Sequence, residues 1–196
     1  MDAELLAAVR RLATPEDDTL AAVRSRAEQV TTPPAAEVGA LLRLLADLVG
    51  VRHAVEVGAA GGVSGAWLLA GMAERGVLTC IEGDAHLHGL ATAAYSDLGV
   101  TDRVRAILGD PATVADRLTD DQYDLVLLQQ GAAGMPRLLP QAERLLRPGG
   151  VLVARRLLAE QSTAPAELLE AIRKAPWASA TVLPVDEGLL IARLSG

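Results

Sequence analysis

The segment Glu56-Val57-Gly58-Ala59-Ala60-Gly61-Gly62-Val63-Ser64 follows a short apolar run and opens a helical pattern. Ligands of open α/β sheets gather at the carboxyl ends of the strands, which is where this loop falls. Gly58 and Gly62 let the backbone turn sharply and approach a ligand closely. The next apolar run ends in Glu82. An acid there, at the separation found in nucleotide-binding βαβ units, can accept both hydroxyls of a ribose. Asp110 follows Gly109 at the end of the third run and is a candidate to hold an adenine amino group. Together these residues point to a nucleoside-bearing cofactor.

Charge separates the two cofactor classes that suit such a site. A dinucleotide fingerprint needs G-x-G-x-x-G. Counted from Gly58, this chain has Ala60 and Val63 where glycines are required. The Glu56 carboxylate is also a poor neighbour for a pyrophosphate. S-adenosylmethionine carries a sulfonium and an ammonium and no phosphate, so a carboxylate just before the first glycine becomes favourable. The expected cofactor is S-adenosyl-L-methionine rather than a nicotinamide dinucleotide. Glycine-rich strand–helix turns also occur for packing alone, so the loop counts together with Glu82 and Asp110 and not by itself.

The elements that position these residues are legible from periodicity. Leu5, Leu6, Val9 and Leu12 recur at helical spacing. Thr14-Pro15-Glu16-Asp17 offers a cap, a first-turn proline and two acids for a second helix, which Thr31-Thr32-Pro33-Pro34 breaks. A third helix carries Val38, Leu41, Leu42, Leu45 and Leu48 on one side and stops near Gly50. The rhythm then changes to strands at His53–Val57, Val77–Glu82, Val104–Leu108, Tyr123–Leu128 and Val151–Ala154. Helices are expected over Ser64–Ala73, from Asp84 to about Leu98, from Asp110-Pro111, over Arg137–Leu146 and over Pro165–Lys174. Thr181–Val185 and Leu189–Leu194 read as a closing hairpin across Asp186-Glu187-Gly188. Alternating strands and helices imply a mostly parallel sheet covered on both faces. Residues 1–196 are expected to form one domain, with N-terminal helices over 1–50 and an α/β core over 51–196.

Composition excludes several classes. The chain has 196 residues, 51% of them apolar and 22% charged, and a formal net charge of −7. Disorder needs lower hydrophobicity, and an acidic chain is a poor nucleic-acid or anionic-membrane binder. One cysteine, Cys80, allows neither an intrachain disulfide nor a cysteine-rich zinc site. The N-terminus lacks a basic leader region, and the longest uncharged stretch, Val57 to Ala73, is too short to span a membrane. A soluble cytoplasmic protein is expected. Aromatics are 2% of residues, with no Phe, which argues against a substrate held by aromatic stacking.

The chain resembles the small bacterial, catechol-type O-methyltransferases over about residues 30–194. The matching stretches are Val55-Glu56-Val57-Gly58, Gly62-Val63-Ser64, Ile81-Glu82-Gly83-Asp84, Gly109-Asp110, Tyr123-Asp124-Leu125-Val126 and Leu145-Leu146-Arg147-Pro148-Gly149-Gly150. The resemblance implies a Rossmann-like class I methyltransferase fold, with a seven-stranded sheet whose last strand is antiparallel. It implies a homodimer and a small-molecule acceptor, with the N-terminal helices at the interface or over the site. The candidate cofactor-binding residues are Glu56, Gly58, Ala59, Gly62, Ser64, Glu82, Gly83, Asp110 and Gln129.

The sequence departs from that family at its metal site. Where the family carries an Asp at the end of the fourth strand, this chain has Gln129, and where the family has Asp-Asn after the fifth it has Arg155-Arg156. A hard divalent cation wants oxygen ligands, mainly carboxylates. Two guanidiniums and an amide cannot supply them, so no catalytic metal is expected. Arg155, Arg156 and Gln129 become the candidate catalytic residues. An arginine can put positive charge beside a phenolate or carboxylate, and alternation along a strand would turn only one of the two into the pocket. Both could instead be solvated or paired with acids. His86 and His88 sit on different faces of a helix start and do not share a metal; either could act as a general base. His53 and Cys80 read as structural, and Trp67 as helix–sheet packing. The leading reading is a metal-independent, S-adenosylmethionine-dependent O-methyltransferase. A non-catalytic cofactor-binding homologue and, more remotely, an NAD-dependent oxidoreductase are the alternatives.

Overall fold

The central strands are apolar on both faces because helices cover both, as parallel sheets require. The computed structural model describes residues 16–129, 131–159, 170, 172–174 and 176–196. Among them, β1 (His53–Val57), β2 (Val77–Glu82), β3 (Val104–Leu108), β4 (Tyr123–Leu128), β5 (Leu146–Ala154), β6 (Trp177–Leu183) and β7 (Leu189–Leu194) form one sheet. Its order is β3-β2-β1-β4-β5-β7-β6. Strands β1 to β5 pair in parallel, and β7 runs antiparallel to both β5 and β6. The expected Rossmann-like sheet with its antiparallel last strand is therefore present. The hairpin's outer strand, β6, takes the edge and β7 lies inside it.

Period-two alternation divides the interior into two cores. Ala54, Leu78, Cys80, Leu125, Leu127 and Val153 face α1 (Asp18–Ala27), α2 (Ala36–Val49), α3 (Val63–Gly71) and α4 (Ala85–Asp97). Val55, Val57, Ile81, Val126, Leu128, Leu152 and Ala154 face α5 (Pro111–Ala115) and α6 (Gly131–Leu145). Helix α6 presents Met135, Leu138, Leu139, Ala142 and Leu145 at helical spacing to that second core. At the amino ends of the strands the Asp124 carboxylate accepts from the backbone N–H groups of Arg52 (2.7 Å) and His53 (2.9 Å) and from Arg147 (2.6 Å). It locks β4 to the entry of β1, on the side away from the glycine loop.

Strands β1 to β4 and β7 have the boundaries read from the sequence; the differences lie elsewhere. Helix α1 is capped by Asp17, whose side chain accepts from Leu20 N at 2.8 Å, so it starts later than Thr14-Pro15 suggests. The first helical pattern, Leu5 to Leu12, and most of Pro165–Lys174 lie outside the described residues. In α2, Val38 and Leu42 are buried, but Leu48 is 73% exposed and does not belong to the buried stripe. Gly50 ends α2 with φ 66°, as expected of a C-terminal glycine. Helix α6 begins six residues before Arg137 and runs through Pro136 and Pro140. Strand β5 starts at Leu146, because Leu146 pairs with Tyr123 ahead of a register shift. Strand β6 starts at Trp177, ahead of Thr181.

Trp67 is buried in the core that α1 to α4 form with the sheet, and it also meets α2. A Cβ added at Gly39 of α2 would lie 2.1 Å from its indole nitrogen. The same helix pair closes at Gly71, where an added Cβ would lie 2.0 Å from the Arg43 carbonyl oxygen. A backbone carbonyl inside a helix yields little. Gly71→Ala should therefore destabilise the fold by about 1–3 kcal/mol, the usual range for overpacking. Urea denaturation checks this, and an unshifted midpoint would show that α2 and α3 do not meet so closely.

Candidate functional site

The parallel ladder continues one residue past the strand ends and gathers the chemistry into one rank. Gly58 N donates to Ile81 O, Gln129 N to Val57 O, Arg155 N to Leu128 O and Gly109 N to Glu82 O, each at 2.9 Å. The residues that follow β1, β3, β4 and β5 thus stand side by side at the carboxyl edge. A cavity of about 110 Å³ opens there, with Gly58, Ala60, Glu82, Gln129, Arg155 and Arg156 in its wall. Thr31, Thr32 and Leu87 complete it.

Glu56 precedes the loop on the face of β1 that carries Ala54 and meets α1 to α4, and it is wholly buried. Ser64 Oγ donates to its Oε1, Gln129 Nε2 donates to the same oxygen at 2.8 Å, and Tyr95 OH donates to Oε2 at 3.2 Å. Gly65 leaves the space for that phenol, since a Cβ there would lie 2.2 Å from Tyr95 OH. Burial pushes the Glu56 carboxyl up to about 7, against the pull of hydrogen bonds from Ser64, Cys80 and Tyr95 and of the Arg155 charge. Burial likewise raises the Cys80 thiol and the Tyr95 phenol, so both stay protonated beside it.

Glu82 organises the loop. Its Oε2 accepts from Ala59 N at 2.7 Å and its Oε1 from Asp84 N at 3.0 Å. A carboxylate offers about four lone-pair sites, two on each oxygen. Each oxygen of Glu82 therefore keeps one acceptor position beside the cavity, which fits a vicinal diol. The Ala59 N–H, in contrast, is already taken. Gly58 and Gly62 both turn with positive φ, at 89° and 90°. Gly62 does not approach the cavity, however: a Cβ there would lie 2.7 Å from Ala94 Cβ and 3.2 Å from Ala91 Cα. Its missing Cβ is the contact of the loop with α4, and Gly62 is not among the residues in the cavity wall.

Gly83 and Asp110 lie at the adjoining ends of β2 and β3, where a Cβ at Gly83 would be 3.6 Å from Pro111 Cδ. Asp110 caps α5, accepting from Thr113 N at 3.0 Å and Thr113 Oγ1 at 2.7 Å. Those hydrogen bonds hold its carboxyl below the usual range. It lines a second, smaller cavity of about 80 Å³ with Gly134 and Arg137.

The two arginines do not divide between opposite faces. Both follow the last residue of β5, Arg156 has φ 61°, and both line the cavity. Their environments differ. The Arg155 side chain is 1% exposed; Nε and NH2 pair with the two oxygens of Asp186, and NH1 donates to Gln129 Oε1. Arg156 is 34% exposed and uses Nε to pair with Glu187 at 2.8 Å. Both acids come from the β6–β7 turn. The pairing with acids allowed at the sequence level is what the structure contains. Gln129 joins the halves of the site: beyond Glu56, its Nε2 donates to Ser64 Oγ at 2.8 Å and to Gly58 O. A guanidinium, an amide and an acid already paired with arginine do not suit a divalent cation. Among the described residues no group of three or more His, Cys, Asp or Glu is placed to hold a metal.

Several members were missed in the sequence. Thr31 and Thr32 read only as a helix break; a strap holds them over the loop, in which Arg24 binds both Glu16 (2.8 Å) and the Pro34 carbonyl, and Glu16 accepts from Trp67 Nε1 at 3.3 Å. Tyr95 carried no motif. Asp186 and Glu187 read as turn residues. His53, His86 and His88 do not line the cavity.

A family model described as a methyltransferase domain matches residues 55–154. A Mycolicibacterium vanbaalenii protein named "Putative O-methyltransferase" is 41% identical over 192 residues, covering 90% of this chain and 84% of that protein. A Corynebacterium glutamicum protein of known structure superposes with a TM-score of 0.89 at 30% identity, over 98% of this chain and 97% of its own. An O-methyltransferase from Bacillus cereus, solved in complex with S-adenosylhomocysteine, superposes with a TM-score of 0.86 at 23% identity, over 96% of each chain.

Because the folded-state Glu56 value lies above the ordinary 4.5, the folded chain holds a proton there that the unfolded chain releases. The associated stability is full below about pH 4.5 and is lost as pH rises through about 7. Glu56→Gln cannot titrate. Its stability relative to wild type should therefore improve by a few kcal/mol between about pH 5 and about pH 8, because a tenfold change in proton affinity is worth about 1.4 kcal/mol. Thermal melts across that range measure the difference, and a flat difference would mean that Glu56 ionises at its ordinary value.

Proposed function

The chain belongs to the methyltransferase-domain family, and from that premise we propose that it is an S-adenosylmethionine-dependent O-methyltransferase that transfers to a small molecule without a metal ion. The observation that carries the cofactor half is Glu82, with one acceptor position left on each oxygen beside the cavity. That arrangement suits a ribose diol, and the Glu82 carboxylate beside the loop disfavours a pyrophosphate. S-adenosylmethionine, when bound, supplies a methyl group made electrophilic by its sulfonium. Glu82 is assigned to the ribose, Asp110 to the adenine amino group, and the Gly58 turn with Gln129 to the wall behind the sulfonium.

The arginines carry the acceptor half. The Arg155 charge is met by Asp186 and Gln129. The terminal nitrogens of Arg156 have no further hydrogen bond among the described residues. Arg156 can therefore take an acceptor carboxylate or phenolate through charge-assisted hydrogen bonds. An acceptor that arrives as an anion needs no base to remove a proton, which agrees with a cavity wall that holds no histidine. The same reading includes a homodimer, to which the exposed Leu44 and Leu48 of α2 would contribute apolar contact.

Calorimetry with S-adenosylhomocysteine and with NAD tests the cofactor assignment. The first should bind and the second should not, and Glu82→Ala should weaken binding by about 1–3 kcal/mol, the scale for hydrogen bonds to a charged group. Tighter binding of NAD would overturn it. Release of S-adenosylhomocysteine with a panel of phenolic and carboxylic acceptors tests the chemistry. Turnover should survive EDTA, and Arg156→Ala should raise KM for the acceptor by more than a surface ion pair's ~0–1 kcal/mol while cofactor affinity stays unchanged. Loss of turnover in EDTA, restored by Mg²⁺, would refute metal independence.

A further inference from the structure

The geometry points to Asp186 as a positioning residue of this site: from the β6–β7 turn it holds the Arg155 guanidinium in the rank of strand ends, and through that guanidinium it fixes the Gln129 amide against the glycine loop. The inference rests on the cofactor reading above only for one of its two measurements.

Three observations carry it. The first is directional. Gln129 Nε2 faces three oxygens, of Glu56, Ser64 and Gly58, while its Oε1 accepts from Arg155. A flipped amide would set its oxygen against a carboxylate and a carbonyl and its NH2 against the guanidinium, so Arg155 fixes from the oxygen side the orientation that those oxygens fix from the nitrogen side. The second is the hold on Arg155. A long, flexible side chain becomes a fixed fork only when both edges are bound. Asp186 supplies that with two oxygens, and the pair is almost dry, with the side chains 1% and 9% exposed. An unpaired guanidinium at that burial would be costly, so Arg155 keeps this pose only while Asp186 is there.

The third is the turn itself. Asp186 and Glu187 have φ 52° and 56°, and Gly188 N donates to Val185 O at 2.9 Å. Within the five-residue loop between Leu183 and Leu189, a tight turn with both central φ values positive favours Asn and Gly at those positions. Two side chains in that conformation are unfavourable for the turn alone, and the ion pairs to Arg155 and Arg156 offset the strain. Leu157 N to Gly188 O (3.1 Å) and Leu158 N to Glu187 O (2.7 Å) tie the turn to the chain that follows the arginines. Asp186 is therefore held from both sides.

Two measurements test the assignment. The side-chain amide of Gln129, read by ¹⁵N NMR without any ligand, should show two dispersed, slowly exchanging protons in wild type. In Asp186→Asn and Asp186→Ala they should collapse toward the positions of exposed glutamines. In calorimetry, both variants should bind S-adenosylhomocysteine about tenfold more weakly, and Arg155→Met combined with Asp186→Ala should lose no more than Arg155→Met alone, because residues acting through one chain of contacts are not additive. Asp186→Asn keeps the side-chain volume and guards against a folding defect in the alanine variant. An unchanged Gln129 amide in Asp186→Asn sinks the assignment whether or not the cofactor binds. Additive losses sink it as well. Wild type that shows the Gln129 signature but does not bind S-adenosylhomocysteine overturns the cofactor reading and leaves the positioning role supported.

Discussion

A guanidinium with almost no surface in water has to be answered by fixed oxygens, and the carboxyl edge of this sheet is arranged around that requirement. An arginine side chain brings a cation that donates only and accepts nothing. The Arg155 hydrogen bonds go to Asp186 and Gln129. The Gln129 amide nitrogen in turn donates toward Glu56, Ser64 and the Gly58 carbonyl, three acceptors that share its two protons. One buried cation thus orders a chain that runs from the last hairpin, across the ends of β5, β4 and β1, to the glycine loop. Removing the acid at one end leaves a desolvated charge, the expensive case for buried ion pairs.

Glu56 is the counterpart at the other end of the chain. A carboxylate in an otherwise apolar face survives because four side chains bond to it, and its raised value shows that burial still outweighs them. Near neutral pH the group sits close to its midpoint. The glycine loop therefore packs against a carboxyl that is neither firmly charged nor firmly neutral, while Glu82, in the cavity wall, bonds two backbone N–H groups. The two acids have separate tasks: Glu56 anchors the loop from below, and Glu82 shapes its surface.

The fold was legible where one physical rule acted alone. Strands β1 to β4 are short, mostly apolar and bounded by Gly, Arg or Gln, so their limits could be read directly. The glycine loop, Glu82 and the Asp84 cap were equally plain, because each depends on neighbours in sequence. What sequence hid depends on pairing across the sheet. Asp186 and Glu187 meet their arginines 31 residues away, and nothing local distinguishes them from ordinary turn acids. Opposite-face alternation failed for Arg155 and Arg156 because the strand ends one residue earlier and the chain turns left-handed at Arg156. Gly62 carries the right spacing for a ligand loop, yet its missing Cβ serves Ala91 and Ala94 of α4.

On the proposed function a guanidinium stands where the catechol-type enzymes that the chain resembles hold a divalent cation, and that changes what chemistry the site can ask of an acceptor. A divalent ion binds a hydroxyl directly and lowers its pKa, so weakly acidic phenols can react as oxyanions. A guanidinium provides hydrogen bonds and charge but no vacant orbital, and here most of the Arg155 charge is already met by Asp186. The remaining electrostatic help comes from Arg156, at the rim and partly in water, where each interaction is weaker. On the proposed function, rate must then come mainly from holding an acceptor that is already ionised in line with the methyl group, the positioning term that contributes to any two-reactant step. That makes the rigidity of the strand-end rank, and so the Asp186–Arg155–Gln129 chain, a larger share of the catalytic device than it would be around a metal.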